Sequence, residues 1–246
     1  MVRRRLSGRT DNTARVLTLI TQFGGGKTHT LTALYHLGTS GKKAADYPGV
    51  SELLRDAGLS SVPGARVGVF VGNAWDPQDG PEAPWIDLAR QLADDEGVEA
   101  LGPAAKMTPT GTEAIGRVFQ EANAPVLLLF DEVLNLLNRY RGMAESFHAF
   151  IQNLTVAMTG TTHGAAVISL PRNQVERTDW DLQWQDKITK VVRRVAKDLI
   201  ANDEKEISVE FSVTVSRDVG ESLKADLGQT LDDLGILNHL KISDDG

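Results

Sequence analysis

The sequence predicts an α/β fold: a parallel β-sheet with helices on both faces, followed by a small α+β tail. Three observations carry this expectation. Between residues 15 and about 172, short β-branched and apolar runs alternate with stretches of helical periodicity, the pattern of strand–helix–strand units joined by right-handed crossovers. One run, PVLLLF at 125–130, is apolar throughout, as a central strand covered on both faces must be. A glycine cluster separates the first strand from the first helix, where a parallel sheet turns at its carboxyl edge.

Residues 1–14 are polar and without periodicity, so they read as a flexible leader whose Arg3–Arg5 run is frayed and solvated. RVLTLIT at 15–21 is a buried strand. After the glycines, Leu31, Leu34, Tyr35 and Leu37 set a helix from Lys27 that Gly38 stops. A short helix is expected at 51–57 and a second strand, RVGVFV, at 66–71. A proline-rich loop at 72–84 leads to an amphipathic helix at 85–95, and a further helix covers 112–122. The 125–130 strand is followed by helices at 133–140 and 145–158, then by a fourth strand, AAVISL, at 165–170 that Pro171 ends. A basic helix is expected at 186–199.

ISVEFSVTV at 207–215 alternates apolar and polar residues, a strand with one wet face. A helix at 219–234 and a strand at 236–242 complete the tail. The expected organisation is therefore a leader over 1–14, one α/β domain over 15–200 and the α+β tail over 201–246.

The 246 residues, 41% hydrophobic and 24% charged, have an ordinary globular composition and enough length for a sizeable core. With no cysteine, the chain has no disulfide, thiolate metal site or cysteine nucleophile. No apolar run approaches the roughly 20 residues that span a bilayer, and no apolar segment follows the basic start, so no secretory signal, no membrane partner and a cytoplasmic location are expected. A net charge of −7 argues against a generally basic, nucleic-acid-coating surface.

The chemistry-bearing motif is Thr21-Gln22-Phe23-Gly24-Gly25-Gly26-Lys27-Thr28, which leaves a strand and opens a helix. That is the context of a Walker A phosphate-binding loop, or P-loop. Glycines let successive backbone N–H groups turn toward one point, and the helix N-terminus adds free N–H groups and a positive dipole end. Gly24, Gly25 and Gly26 would cradle the phosphates, Lys27 would reach the β- and γ-phosphates, and the Thr28 hydroxyl would coordinate Mg²⁺. Thr21 stands where the pattern usually has its first glycine, a residue that eases the strand exit. His29, next on the helix, counts among the nucleotide-binding residues, with packing or solvent contact expected of it rather than catalysis.

The strand at 126–131 runs straight into Asp131-Glu132. A carboxylate at that edge matches a Walker B motif, with Asp131 holding Mg²⁺ through a water and Glu132 acting as general base. Two acids stabilised by the dipole of the next helix are the plainer reading of the pair. Where an extra strand lies between the Walker A and Walker B strands, a polar residue at its end can sense the γ-phosphate. Ser169 and Asn173 are the sensor candidates, an ordinary strand-to-loop exit being the other reading. The five histidines have no metal-ligand spacing, and the tryptophans are expected to pack loops. Arg193 and Arg194 could reach a phosphate or DNA, although a solvated basic face explains them too.

These residues support a resemblance. TQFGGGKTHTLTALYHL (21–37) resembles the P-loop of a family of large prokaryotic ATPases catalogued as domain of unknown function 499. VGVFVGNAWDP (67–77) is similar to that family's second strand and loop, LLLFDEVLNLLNRY (127–140) to its Walker B segment, and 168–199 to its sensor strand and following helix. The text after Ser208 resembles the far C-terminal end of such proteins, which implies a shortened member with the middle missing. The resemblance implies a three-layer P-loop NTPase fold of the AAA+-like group, ATP and Mg²⁺ as cofactors, and clear roles for Gly26, Lys27, Thr28, Asp131 and Glu132. It also implies DNA or a DNA-acting complex with a methyltransferase or helicase as partner, in DNA modification or phage defence. A homo-oligomer is a further expectation. A nucleotide-dependent regulatory module with little or no hydrolysis is the alternative, and a small-substrate kinase a third.

Overall fold

A computed structural model of the chain describes residues 2–10, 13–21, 26–76, 82–171 and 179–200. Among these residues, β1 (Val16–Thr21), β2 (Arg66–Val71), β3 (Val126–Asp131) and β4 (Gly164–Pro171) form one sheet in the order β1-β4-β3-β2. All three pairings are parallel, with Val16 opposite Ala166, Val126 opposite Gly164 and Arg66 opposite Val126. β4 thus lies between β1 and β3, and all four strands end at one edge. Parallel strands need crossovers, and helices supply them here. The helices are α1 (Val2–Leu6), α2 (Lys27–Ser40), α3 (Val50–Asp56), α4 (Pro84–Leu101), α5 (Thr112–Glu121), α6 (Val133–Arg139), α7 (Ala144–Thr159) and α8 (Asp179–Ile200).

The apolar run of β3 is buried at every position because it has a core on each side. Val126, Leu128 and Phe130 point into the larger apolar cluster, with residues of α4 to α8. Leu127 and Leu129 point the other way, to Leu6 of α1, Leu31 of α2, and Val50 and Leu54 of α3. The period-2 alternation of a strand divides one continuous apolar run between two helical layers.

Three sequence expectations are corrected. The start of the chain is no solvated leader over residues 2–10: α1 packs on β4. Arg5 is 0% exposed, its Nε donates to the Gly164 carbonyl at 3.3 Å, and its Nη2 donates to the Thr161 carbonyl. A buried guanidinium needs acceptors, and these two, in the turn entering β4, lie 159 and 156 positions away in the chain. Burial, reinforced by the charge of Arg15, lowers the Arg5 guanidinium to about 10. The helix expected to end at residue 95 breaks at Ala93 (φ −148°, ψ 31°) and Asp94 (φ 51°, ψ −138°) and resumes to Leu101. α8 starts seven residues before its expected start because Trp180 and Trp184, one turn apart, stack at 5.5 Å and pack against the larger cluster. Trp180 and Trp184 accordingly sit on a helix, not on a loop.

The chain divides into two compact units, residues 1–204 and 205–246. The strands and helix expected over 201–246 lie outside the described residues. Among the described residues no helix is long and apolar enough to cross a membrane.

Candidate functional site

The site lies at the carboxyl edge of the sheet, where β1 leads toward α2 and β3 leads into α6. Gly26 sits in the left-handed region (φ 71°, ψ 16°) as the residue before α2, and its carbonyl accepts both the backbone N–H of Thr30 at 2.9 Å and the Thr30 hydroxyl at 3.0 Å. A side chain is disfavoured at this φ, so the glycine is what lets the chain turn into the helix. Lys27 and Thr28 are the first two helical residues.

One hydrogen bond joins the two motifs. The Thr28 hydroxyl donates to Oδ2 of Asp131 at 2.7 Å, across 103 positions of sequence. Asp131 is 6% exposed, and its other oxygen, Oδ1, accepts the backbone N–H of Glu132 at 3.0 Å. A buried carboxylate must be satisfied in this way or give up its charge.

Glu132 lies in the left-handed region (φ 53°, ψ 33°), one of three non-glycine residues there among the described residues. Such a conformation persists only where its surroundings hold it. Two contacts do so. Asn135, one turn along α6, donates its side-chain amide to Glu132 Oε2. Gly72, just past β2, donates its backbone N–H to the Asp131 carbonyl at 2.9 Å and lies so close that a Cβ there would sit 2.1 Å from the Glu132 carbonyl oxygen. Burial and the neighbouring Asp131 push the Glu132 carboxyl above its ordinary range, while Lys27 pulls it back. Lys27 and Glu132 are therefore close enough to feel each other across the turn.

The Gly72 contact carries an expected outcome. In Gly72→Ala the backbone must shift, as in an overpacked core, at a cost of about 1–3 kcal/mol. A thermal melt superimposable on that of the wild type would show that the approach is looser than described.

Ser169 is 2% exposed and pairs in register with Leu19 of β1, one residue beyond Ile168, which pairs with Phe130 of β3. It lies between the two motif-bearing strands, near Asp131. His29 is exposed on the first turn of α2. Gly24, Gly25 and Asn173 lie outside the described residues, as does the side chain of Arg194. Arg193 is exposed on α8, where Lys190 pairs with Asp186 at 2.6 Å and Lys187 pairs with Glu145 at 2.8 Å.

Sequence reasoning missed Gly72, Asn135 and Arg139. Arg139, at the end of α6, donates to the Asn73 carbonyl at 2.9 Å and to Asp76 at 3.0 Å, fastening the loop after β2 to the helix after β3. Only Asn135 carried a local signal, its three-residue spacing from Glu132 at a helix start.

Thr28 and Asp131 are oxygen donors meeting at one point, the donor type that Mg²⁺ prefers. Among the described residues no three His, Asp or Glu side chains gather as a metal site. One or two protein oxygens completed by substrate phosphates is the usual way Mg²⁺ is held, so the pair fits it. Comparison with protein families, with curated proteins and with solved structures finds no match.

Proposed function

We propose that this chain binds ATP with Mg²⁺ at the carboxyl edge of its sheet and hydrolyses it, as a P-loop NTPase of the AAA+-like kind. The observation that carries the reading is the 2.7 Å bond between Thr28 and Asp131. A Lys-Thr pair after a glycine turn is common enough by chance, and so is an acidic pair after a strand. Joined across β4, in the strand order β1-β4-β3-β2, they form one polar centre with a lysine, two carboxylates and a helix N-terminus.

Each residue has a part in the proposed reaction. The α2 N-terminus and Lys27 would bind the β- and γ-phosphates. Thr28 and Asp131 would hold Mg²⁺, which when bound neutralises charge on those phosphates. Glu132 would take the proton of a water whose oxygen forms the new bond to the γ-phosphorus, as the bond to the bridging oxygen breaks and ADP leaves. A carboxyl raised above its ordinary range by burial and Asp131 suits a base working near neutral pH. Ser169, two residues before the end of β4 and between the motif-bearing strands, could sense a γ-phosphate. The sequence holds no guanine-recognition signal of the Asn/Thr-Lys-x-Asp type, hence ATP. The setting we propose, a shortened member of the domain-499 family acting with a DNA-modification or phage-defence complex in the cytoplasm, rests on the sequence resemblance.

The test is ATP binding and Mg²⁺-dependent hydrolysis by the wild type and by Lys27→Ala, with and without duplex DNA. Losing one charge-assisted contact of about 1.5–3 kcal/mol should weaken ATP binding in the variant by roughly 10- to 100-fold. Binding by the wild type without hydrolysis, with or without DNA, would favour the regulatory-module alternative. No binding by the wild type would remove the proposal altogether.

A further inference from the structure

We infer that Asn135 is a positioning residue for the reaction, its side-chain amide fixing the Glu132 carboxylate over the turn that faces Lys27 and Thr28; this rests on the ATPase reading of the same site. The bond runs from Asn135 Nδ2 to Glu132 Oε2. It engages one carboxylate oxygen and leaves Oε1 to accept a proton from water. A glutamate side chain has three rotatable bonds, and ordering one costs up to about 2 kcal/mol. A general base is effective only when held within hydrogen-bond reach of the proton it takes. Glu132 lies outside the regular part of α6, in the left-handed region, so the helix backbone alone does not orient its side chain.

Asn135 is suited to the task because it grips Glu132 at two places. Its backbone N–H donates to the Glu132 carbonyl at 3.1 Å while its side-chain amide holds the carboxylate. The platform under it is fixed. Val133, Leu134, Leu136 and Leu137 are buried, Asn138 donates to Asp181 of α8, and Arg139 ties the far end of α6 to the loop after β2. The partner must also be a donor. An acceptor at position 135 would face a carboxylate that already has Asp131 beside it.

The experiment compares wild type, Asn135→Ala, Asn135→Asp, Glu132→Gln and the Glu132→Gln/Asn135→Ala double variant, measuring kcat, ATP affinity and thermal midpoint. Asn135→Asp keeps the size of the side chain but replaces the donor with an acceptor, so it separates positioning from packing. We expect both single changes at 135 to lower kcat between about 10- and 100-fold, the scale of a misplaced reacting group, with ATP affinity within about twofold of wild type. In the Glu132→Gln background, Asn135→Ala should cost nothing further, because the group it positions is gone. Wild-type kcat in both Asn135 variants overturns the inference and leaves the ATPase reading standing. So does a kcat loss matched by lost ATP affinity or a collapsed thermal midpoint, or one that persists in the Glu132→Gln background. A wild type that never turns over removes the ATPase reading and this inference together.

Discussion

Glu132→Gln should bind ATP as the wild type does and turn it over about 10²- to 10⁴-fold more slowly, the usual contribution of a positioned base. The substitution keeps the shape and a hydrogen-bonding oxygen for Asn135, so only the carboxylate proposed as the base is lost. The same change should raise the thermal midpoint of the nucleotide-free protein at neutral pH. The folded chain raises the Glu132 carboxyl through burial and Asp131, so it holds that proton more tightly than the unfolded chain does. The stability contributed this way is complete below the ordinary carboxylate range, and it is lost as pH rises through the raised value. Above that value the ionised group is a cost, one that Gln does not carry. The midpoint difference between variant and wild type should therefore shrink as pH falls through the raised value and reach its minimum below about pH 4.5. Hydrolysis by Glu132→Gln at the wild-type rate would show that another group takes the proton. A lower midpoint at neutral pH would show that the carboxylate stabilises the fold.

Phe147→Ala should have the largest effect on stability, about 3–5 kcal/mol for a large buried aromatic. Phe147 of α7 is 0% exposed. Its ring lies 5.3 Å from Phe70 of β2 and 6.1 Å from Phe150, which in turn lies 5.8 Å from Trp85 of α4. Phe70 stacks at 6.1 Å on Phe130, the residue before Asp131. Deleting the central ring opens a void between the sheet and two helices, and a packed interior closes such voids only in part. The effect should read as a lowered denaturation midpoint with an unchanged denaturant slope. Below the unfolding transition, ATP affinity should stay within about threefold of wild type, because Phe147 is not among the residues that form the polar edge. A cost below about 1 kcal/mol would mean that the neighbouring rings collapse into the space.

The strands were legible in the sequence because their signal is local. The all-apolar run of β3 and the β-branched runs of β1 and β2 need no knowledge of the rest of the chain. The same holds for Gly26, Lys27, Thr28, Asp131 and Glu132, which stand at strand ends in recognisable strings. That Thr28 and Asp131 touch follows once β4 is inserted between β1 and β3. The misses have the opposite character. Arg5 sits in a run of arginines that looks solvated, and its burial depends on two carbonyls more than 150 positions away. Gly72 resembles any glycine after a strand until β3 is laid beside β2 and its missing side chain becomes the space for the Glu132 backbone. In α4 the weak helix formers Asp94, Asp95 and Gly97 set the expected end at residue 95, and the resumption of the helix past the break at Ala93 and Asp94 to Leu101 is missed.

The insertion of β4 beside β1 also sets a timetable for the chain as it is made. Val16 finds its partner, Ala166, about 150 positions later. At a synthesis rate of about 5–20 residues per second, that is a wait on the order of 10 s. During it β2 and β3 can already pair, while β1, from which the chain runs on to α2, has no neighbour among the described strands. A nascent chain caught at this stage would expose an apolar strand edge, the feature that chaperones recognise and that aggregation exploits. Chains truncated just before residue 164 and released from the ribosome should accordingly be far more protease-sensitive around β1 than around β2 and β3.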